Sequence, residues 1–162
     1  GRKALLYGGI TGLIVGLDQL TKYIALQLLP PYQPVQVLGD FFRLTFIYNP
    51  GAAFGLHVGA LSRYIFLTLT IACVIVLYVW FRATPVSDRL RLIAISLVTA
   101  GAVGNFIDRV RSSRGVIDFL DMGIGDLRWP VFNIADIGVT IGAVLLAISL
   151  WREDQEADKD DG

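Results

Sequence analysis

YIFLTLTIACVIVLYVWF, residues 64–81, carries no charge over its whole length and is closed by Arg82. A bilayer core about 30 Å thick needs roughly 20 mostly apolar helical residues to cross it. This stretch is therefore a membrane span, and the rest of the chain falls into place around it. Three other segments have the same character. Residues 4–29 are apolar apart from Asp18 and Lys22, and they end at Pro30-Pro31. Residues 90–107 are closed by Asp108-Arg109, and residues 133–151 by Arg152-Glu153. Composition agrees, with 54% hydrophobic and 17% charged residues, where a soluble domain carries about 25% charged. Mean hydropathy is +0.61.

The expected fold is an all-α membrane protein, a four-transmembrane-helix bundle forming one domain over residues 1–151. The chain begins at Gly1 rather than Met, with Arg2-Lys3 ahead of the first apolar segment. That opening imitates a signal peptide, but the apolar run is too long and no small-residue cleavage site follows, so the segment reads as a retained span. An even number of spans puts both termini on one side. Arg82, Arg89 and Arg91 in the linker at residues 82–91, with Arg2, Lys3 and Arg152, mark that side as cytoplasmic. Arg43, Arg63, Arg111, Arg114 and Arg128 on the opposite loops weaken the asymmetry. Six of the 14 acidic residues lie after Trp151, which marks residues 152–162 as a solvated, disordered tail.

The first external loop, residues 30–63, is too long to be a connector. FFRLTFIY at residues 41–48 is aromatic and β-branched and predicts a strand. QPVQVL at residues 33–38 can pair with it through a Gly39-Asp40 turn, and Asn49-Pro50-Gly51 ends the strand. Residues 52–61 suit a short interfacial helix. The second external loop, residues 110–131, holds Gly115, Gly123, Gly125 and Pro130.

Much chemistry is excluded. Net charge is zero, so nothing points to nucleic acid. The single cysteine, Cys73, lies in an apolar run and cannot form an internal disulfide. The single histidine, His57, rules out a histidine-built zinc site, and no serine sits in a GxSxG elbow. Lys22 has no serine near it in sequence for a Ser/Lys dyad, and phosphate-loop and dinucleotide motifs are absent. Catalysis must then rest on carboxylates, alone or holding a divalent ion. Gly123-Ile124-Gly125-Asp126 matches the GxGD pattern of presenilin-like proteases, but it falls in a loop and no second span carries a Tyr-Asp partner.

Ionisable residues within a span cost at least about 2.5–3.5 kcal/mol to insert, so each is a functional candidate. Asp18 and Lys22 share one helix face at i, i+4. They form either a structural ion pair or part of a site. Gly8, Gly12 and Gly16, like Gly101 and Gly104, suit close helix packing. Asn105 and Asp108 stand at i, i+3 near the end of the third span, with Arg109 beside them. Asp108 is either an interfacial cap or a site residue. Arg109 can equally hold a lipid headgroup. Asp118 is a lone acid in the apolar stretch Val116-Ile117-Asp118-Phe119, where desolvation raises a carboxyl pKa. Asn133 is a natural N-cap for the fourth span, which puts Asp136 at the capping-box position, favoured by the helix dipole. Asp136 is either an ordinary cap or half of an acid/base pair with Asp118.

Five short motifs then stand in one order. They are DQLTK at residues 18–22, NPGAAF at 49–54, GAVGNFIDR at 101–109, VIDF at 116–119 and FNIAD at 132–136. Together they resemble bacterial lipoprotein signal peptidase, the type II signal peptidase, over residues 5–151. The family often has a second glycine where Ala100 stands here. The resemblance implies an intramembrane aspartic endopeptidase that removes the signal peptide from diacylglyceryl-modified prolipoproteins, just before the lipidated cysteine. It implies a catalytic pair at Asp118 and Asp136. Around substrate it places Asn49, Asn105, Arg109 and Asn133, with Asp18, Lys22, Gly104 and Asp108 in support. It implies a small extracytoplasmic β-cradle and interfacial helix in the first external loop, no metal or cofactor, and a monomer. It also implies a bacterial inner-membrane location, with the site toward the outer leaflet. A metal-dependent lipid transferase, a small transporter using Asp18 and Lys22 as a proton relay, and an inactive structural partner are the rival readings.

Overall fold

The computed structural model describes residues 1–51 and 61–160. Four helices dominate it: α1 (Arg2–Leu28), α2 (Ser62–Ala83), α3 (Arg89–Arg111) and α4 (Ile134–Asp160). All four are long and apolar enough to cross a membrane. Four strands lie at one end: β1 (Val35–Leu38), β2 (Phe42–Asn49), β3 (Val116–Ile124) and β4 (Leu127–Arg128).

The bundle is built around α3, which packs on α1, α2 and α4. Lipid is as apolar as leucine, so helices in a membrane hold together by close packing rather than by hiding apolar surface. The buried face of α3 is accordingly mostly small, with Ala94, Ser96, Thr99, Ala100, Gly101 and Gly104 between Leu92 and Ile95 at one end and Asp108 at the other. A Cβ on Gly101 would fall against the Ala135 carbonyl of α4, and one on Gly104 would lie 2.6 Å from an Asp18 carboxylate oxygen of α1. Conversely, leucines and valines such as Leu13, Leu69, Val79 and Val144 are exposed, as lipid-facing side chains must be. The end of the bundle opposite the sheet has its own core of Leu77, Phe81, Leu92 and Ile95. There Lys3 donates to the Thr84 carbonyl at 2.6 Å and lies over the Phe81 ring.

One expectation is corrected. Residues 152–160 continue α4 to Asp160 instead of forming a disordered tail. The segment contains Glu, Gln, Ala and Lys, which favour helix, and neither glycine nor proline before Gly162. Arg91 on α3 pairs with Glu153 at 2.7 Å, tying the extension to the bundle.

The sheet is antiparallel in the order β1-β2-β3-β4. The β1–β2 hairpin through Gly39 is the one the sequence predicts, and β2 ends at Asn49. The second external loop, for which the sequence offers only glycines and a proline, supplies β3 and β4. Its strand pattern is disguised because β3 is buried on both faces, with Asp118 on one and Asp121 on the other, 1% and 4% exposed. Asp121 accepts from Thr45 at 2.6 Å, Arg128 at 2.7 Å and Arg43 at 3.1 Å. Burial works against the Asp121 carboxylate, but these donors outweigh it and hold its carboxyl below the ordinary range. Ser112 and Arg114 lie in the short link from α3 to β3. The expected interfacial helix and His57 lie at residues 52–61 and 57, and residues 52–60 fall outside the described residues.

Candidate active site

The site is made where β3 meets the start of α4. Phe132 binds alongside β3: Phe119 and Leu120 donate to its carbonyl at 3.0 and 2.8 Å, and its own N–H donates to Leu120 at 3.0 Å. This clamp places the first turn of α4 beside Asp118. Both bonds of the predicted capping box are present. The Asp136 N–H donates to the Asn133 side-chain oxygen at 2.9 Å, and the Asn133 N–H donates to the Asp136 carboxylate at 3.1 Å.

The Asn133 amide also reaches the other carboxylate, donating to Asp118 Oδ1 at 2.7 Å. Asn133 is fully buried, so its bonds are made away from water. It thereby bridges the two acids. Asp118 Oδ2 accepts from the Asn49 amide at 2.9 Å. Asn49 pairs with Val116 in the β2–β3 ladder, which makes Asp118 its diagonal neighbour on the same face. The Asn49 oxygen in turn accepts from the Gly51 N–H at 3.0 Å. Gly51 has φ +97°, and a Cβ there would strike the Phe66 ring, so the turn after Asn49 requires glycine. Asn105 on α3 donates to Asp136 Oδ1 at 2.8 Å. Burial, first of all, raises the Asp118 carboxyl to about 7; the Asn49 bond lowers it, and the nearby Asp136 charge raises it again.

Behind this lies a second, fully buried layer. Lys22 donates to Asp18 and Asp108 at 2.8 Å each and to the Asn105 oxygen at 2.9 Å. Asp18 Oδ1 accepts from the Ala135 N–H at 2.9 Å. That N–H is one of the donors a helix start leaves without an intrahelical partner, so α1 caps α4. Asp108 accepts from the Ile117 N–H at 3.2 Å, one residue before Asp118. Gly104 leaves room for the Asp18 carboxylate. Arg109 donates to the Asn105 carbonyl at 3.3 Å and stacks 5.0 Å from the Phe66 ring. Its buried Nε has no partner among the described residues.

All ten residues singled out from sequence thus lie in one connected region. Three contributors were missed. Gln19 donates to Asp108 at 3.0 Å, Arg63 binds the Arg109 and Val110 carbonyls at 2.7 and 2.9 Å, and Phe132 supplies the clamp. Gln19 and Phe132 stand inside the quoted motifs, so their placement was the available signal. Arg63 had none. Gly123 and Asp126 of the GxGD pattern stand at the β3–β4 turn, away from this network. Among the described residues no group of three His, Cys, Asp or Glu side chains could hold a metal ion.

A family model described as signal peptidase (SPase) II matches residues 10–152. The chain belongs to the signal peptidase II family. Members of this family are aspartic proteases, and this signal peptidase carries its buried aspartates at the sheet end of the bundle. It is 40% identical to the lipoprotein signal peptidase of Syntrophus aciditrophicus, covering 90% of this chain and 91% of that protein. It is 41% identical to that of Hydrogenovibrio crunogenus, covering 91% and 86%. Two solved bacterial membrane enzymes share its fold. One superimposes with TM-score 0.82 at 36% identity over 93% of this chain and 90% of that one; the other with 0.79 at 38% over 89% and 91%.

Proposed function

We propose that this signal peptidase II cuts diacylglyceryl-modified prolipoproteins just before the lipidated cysteine, using Asp118 and Asp136. The observation that supports this most is the Asn133 bridge between the two carboxylates. An apolar groove of about 430 Å³, lined by Met122, Phe132, Ile137 and Ile141, opens on Asp136, which suits a substrate that arrives from lipid.

Asp136, ionised and favoured by the start of α4, takes a proton from a water molecule. The water oxygen attacks the scissile carbonyl. Asp118, protonated, gives its proton to the carbonyl oxygen. On collapse of the tetrahedral adduct Asp136 passes its proton to the leaving amine, and Asp118 recovers its own. Asn49, Asn105 and Asn133 hold the carboxylates and offer amide partners to the extended substrate backbone. Arg109, whose Nε has no partner among the described residues, offers donors to the carbonyl oxygens of the lipidated substrate. No metal or cofactor takes part. The enzyme acts as a monomer in the bacterial inner membrane, with both termini cytoplasmic and the site at the outer leaflet.

The test is cleavage of a diacylglyceryl-modified prolipoprotein, beside its unmodified form, by purified protein in EDTA. Cleavage of the modified form alone supports the reading. Loss in EDTA with recovery on adding zinc would move the reading to the metal-dependent rival.

The pH profile follows from Asp118. The acid must be protonated in the free enzyme, so kcat/KM should fall as pH rises through about 7. Asn49→Leu removes a donor that favours the ionised form, so the alkaline limb should move to higher pH. A limb that stays in place would take Asp118 out of the acid role. For Arg109→Ala, KM should rise about tenfold, the worth of a hydrogen bond to a charged group, with kcat little changed. A fall in kcat alone would contradict substrate binding by Arg109.

A further inference from the structure

A second cavity, of about 210 Å³, lies among α1, β2, the end of α3 and the start of β3, with charged side chains set in a largely apolar lining. Its walls include Gln19, Tyr23 and Leu26 of α1, Tyr48 of β2, and Arg111 and Arg114 at the end of α3 and just beyond it. We propose that it binds the headgroup of an anionic phospholipid, with Arg111 and Arg114 on the phosphate and an acyl chain along Tyr23 and Leu26.

Charge is the first argument. The two arginines on the strands are already matched: Arg43 and Arg128 both pair with Asp121. Arg111 and Arg114 have no carboxylate partner among the described residues, and residues 52–60 contain no Asp or Glu. Among the described residues Arg111 donates only to the neutral Gln19 oxygen, at 2.9 Å. Arg114 lies over the Tyr48 ring, its Cζ 4.1 Å from the centroid, a contact that does not neutralise the guanidinium. Lys22 and Asp108 line the inner wall, but Lys22 is committed to Asp18 and Asp108. Three cations thus stand against two carboxylates, with the excess at the mouth.

Depth is the second. Arg111 ends a span-length helix, and Tyr23 and Leu26 lie in the last turns of another. That is the level of lipid headgroups, where tyrosine and arginine anchor membrane proteins. Tyr23 and Leu26 are 61% and 40% exposed, an apolar strip leading from the cavity toward the bilayer. Guanidinium pairs match phosphate oxygens. The substrate's diacylglyceryl group carries no phosphate, so this site suits a bulk lipid instead.

The third is connection. Gln19 accepts from Arg111 and donates to Asp108, whose other oxygen holds the Ile117 N–H beside Asp118. A lipid seated on Arg111 braces α1 against α3 where they carry the site.

The test uses the full chain in neutral detergent, titrated with phosphatidylglycerol, phosphatidylcholine or inorganic phosphate. Thermal midpoint and retained lipid by native mass spectrometry are the readouts. Phosphatidylglycerol should be retained and raise the midpoint; phosphatidylcholine should not. Arg111→Gln with Arg114→Gln should weaken retention about tenfold or more, and the corresponding double lysine variant should keep most of it. Equal effects of the two lipids, or unchanged retention in the glutamine variant, would overturn the proposal. Inorganic phosphate matching the lipid at equal concentration would assign the site to free phosphate and overturn the lipid. If the glutamine variant does not fold, the three wild-type titrations still decide.

Discussion

Asp118→Asn and Asp136→Asn are each expected to lower turnover about a thousandfold, the scale of a positioned acid or base, while leaving a folded protein. Asparagine preserves shape at both positions. In Asp118→Asn the side-chain oxygen can still accept from Asn49 or Asn133. In Asp136→Asn it can still accept from one of Asn105 and the Asn133 N–H, at a cost of about 1 kcal/mol in helix capping. What neither variant can do is exchange a proton with water or carbonyl. Cleavage of lipidated prolipoprotein, with the thermal midpoint as a folding control, reads this directly. Because the acids act as one unit, the double variant should be little worse than either single one. Turnover within tenfold of wild type in either variant would remove that aspartate from the pair and return Asp108 and Asp126 to consideration.

Lys22→Met should cost more stability than any other single change at this end of the bundle. Its ammonium is 2% exposed and touches two carboxylates and one amide oxygen. Methionine fills a similar volume but leaves Asp18 and Asp108 buried without a cation. Breaking a buried pair in this way costs roughly 3–5 kcal/mol. The damage should also reach the chemistry. Asp18 caps α4 through Ala135, and Asn105, whose amide holds Asp136, loses one of the two donors to its side-chain oxygen, Asn133 being the other. Thermal unfolding in detergent and the same cleavage assay test both parts. An unchanged midpoint would mean that Lys22 is not the ion that holds these helices together.

Lys22 also shows where sequence reading stopped. The i, i+4 spacing with Asp18 was plain, but whether the pair merely let the helix insert, or belonged to the site, was left open. In the structure the pair is buried, and Asp108 comes in from another helix to share the same lysine, which also holds the Asn105 oxygen. Asp136 does cap α4, and the capping residue Asn133 also reaches Asp118. The hairpin β1–β2 was legible, since its turn and strand residues are local. β3 is not, because it is buried on both faces and carries a buried acid on each, Asp118 and Asp121, so it lacks the apolar-in, polar-out alternation that marks a strand.

By itself, the sequence determined the four spans, since a run of apolar residues of the right length has one stable place, across a bilayer. It also determined the candidate acids, because ionisable groups near lipid are too costly to be idle. Tertiary structure alone decided that Asp118 and Asp136 share one asparagine, and that an α1 carboxylate caps α4. Those contacts join residues 15 to 117 positions apart. They depend on Phe132 pairing with β3 and on glycines that let α3 touch its neighbours, and no local pattern encodes such distances.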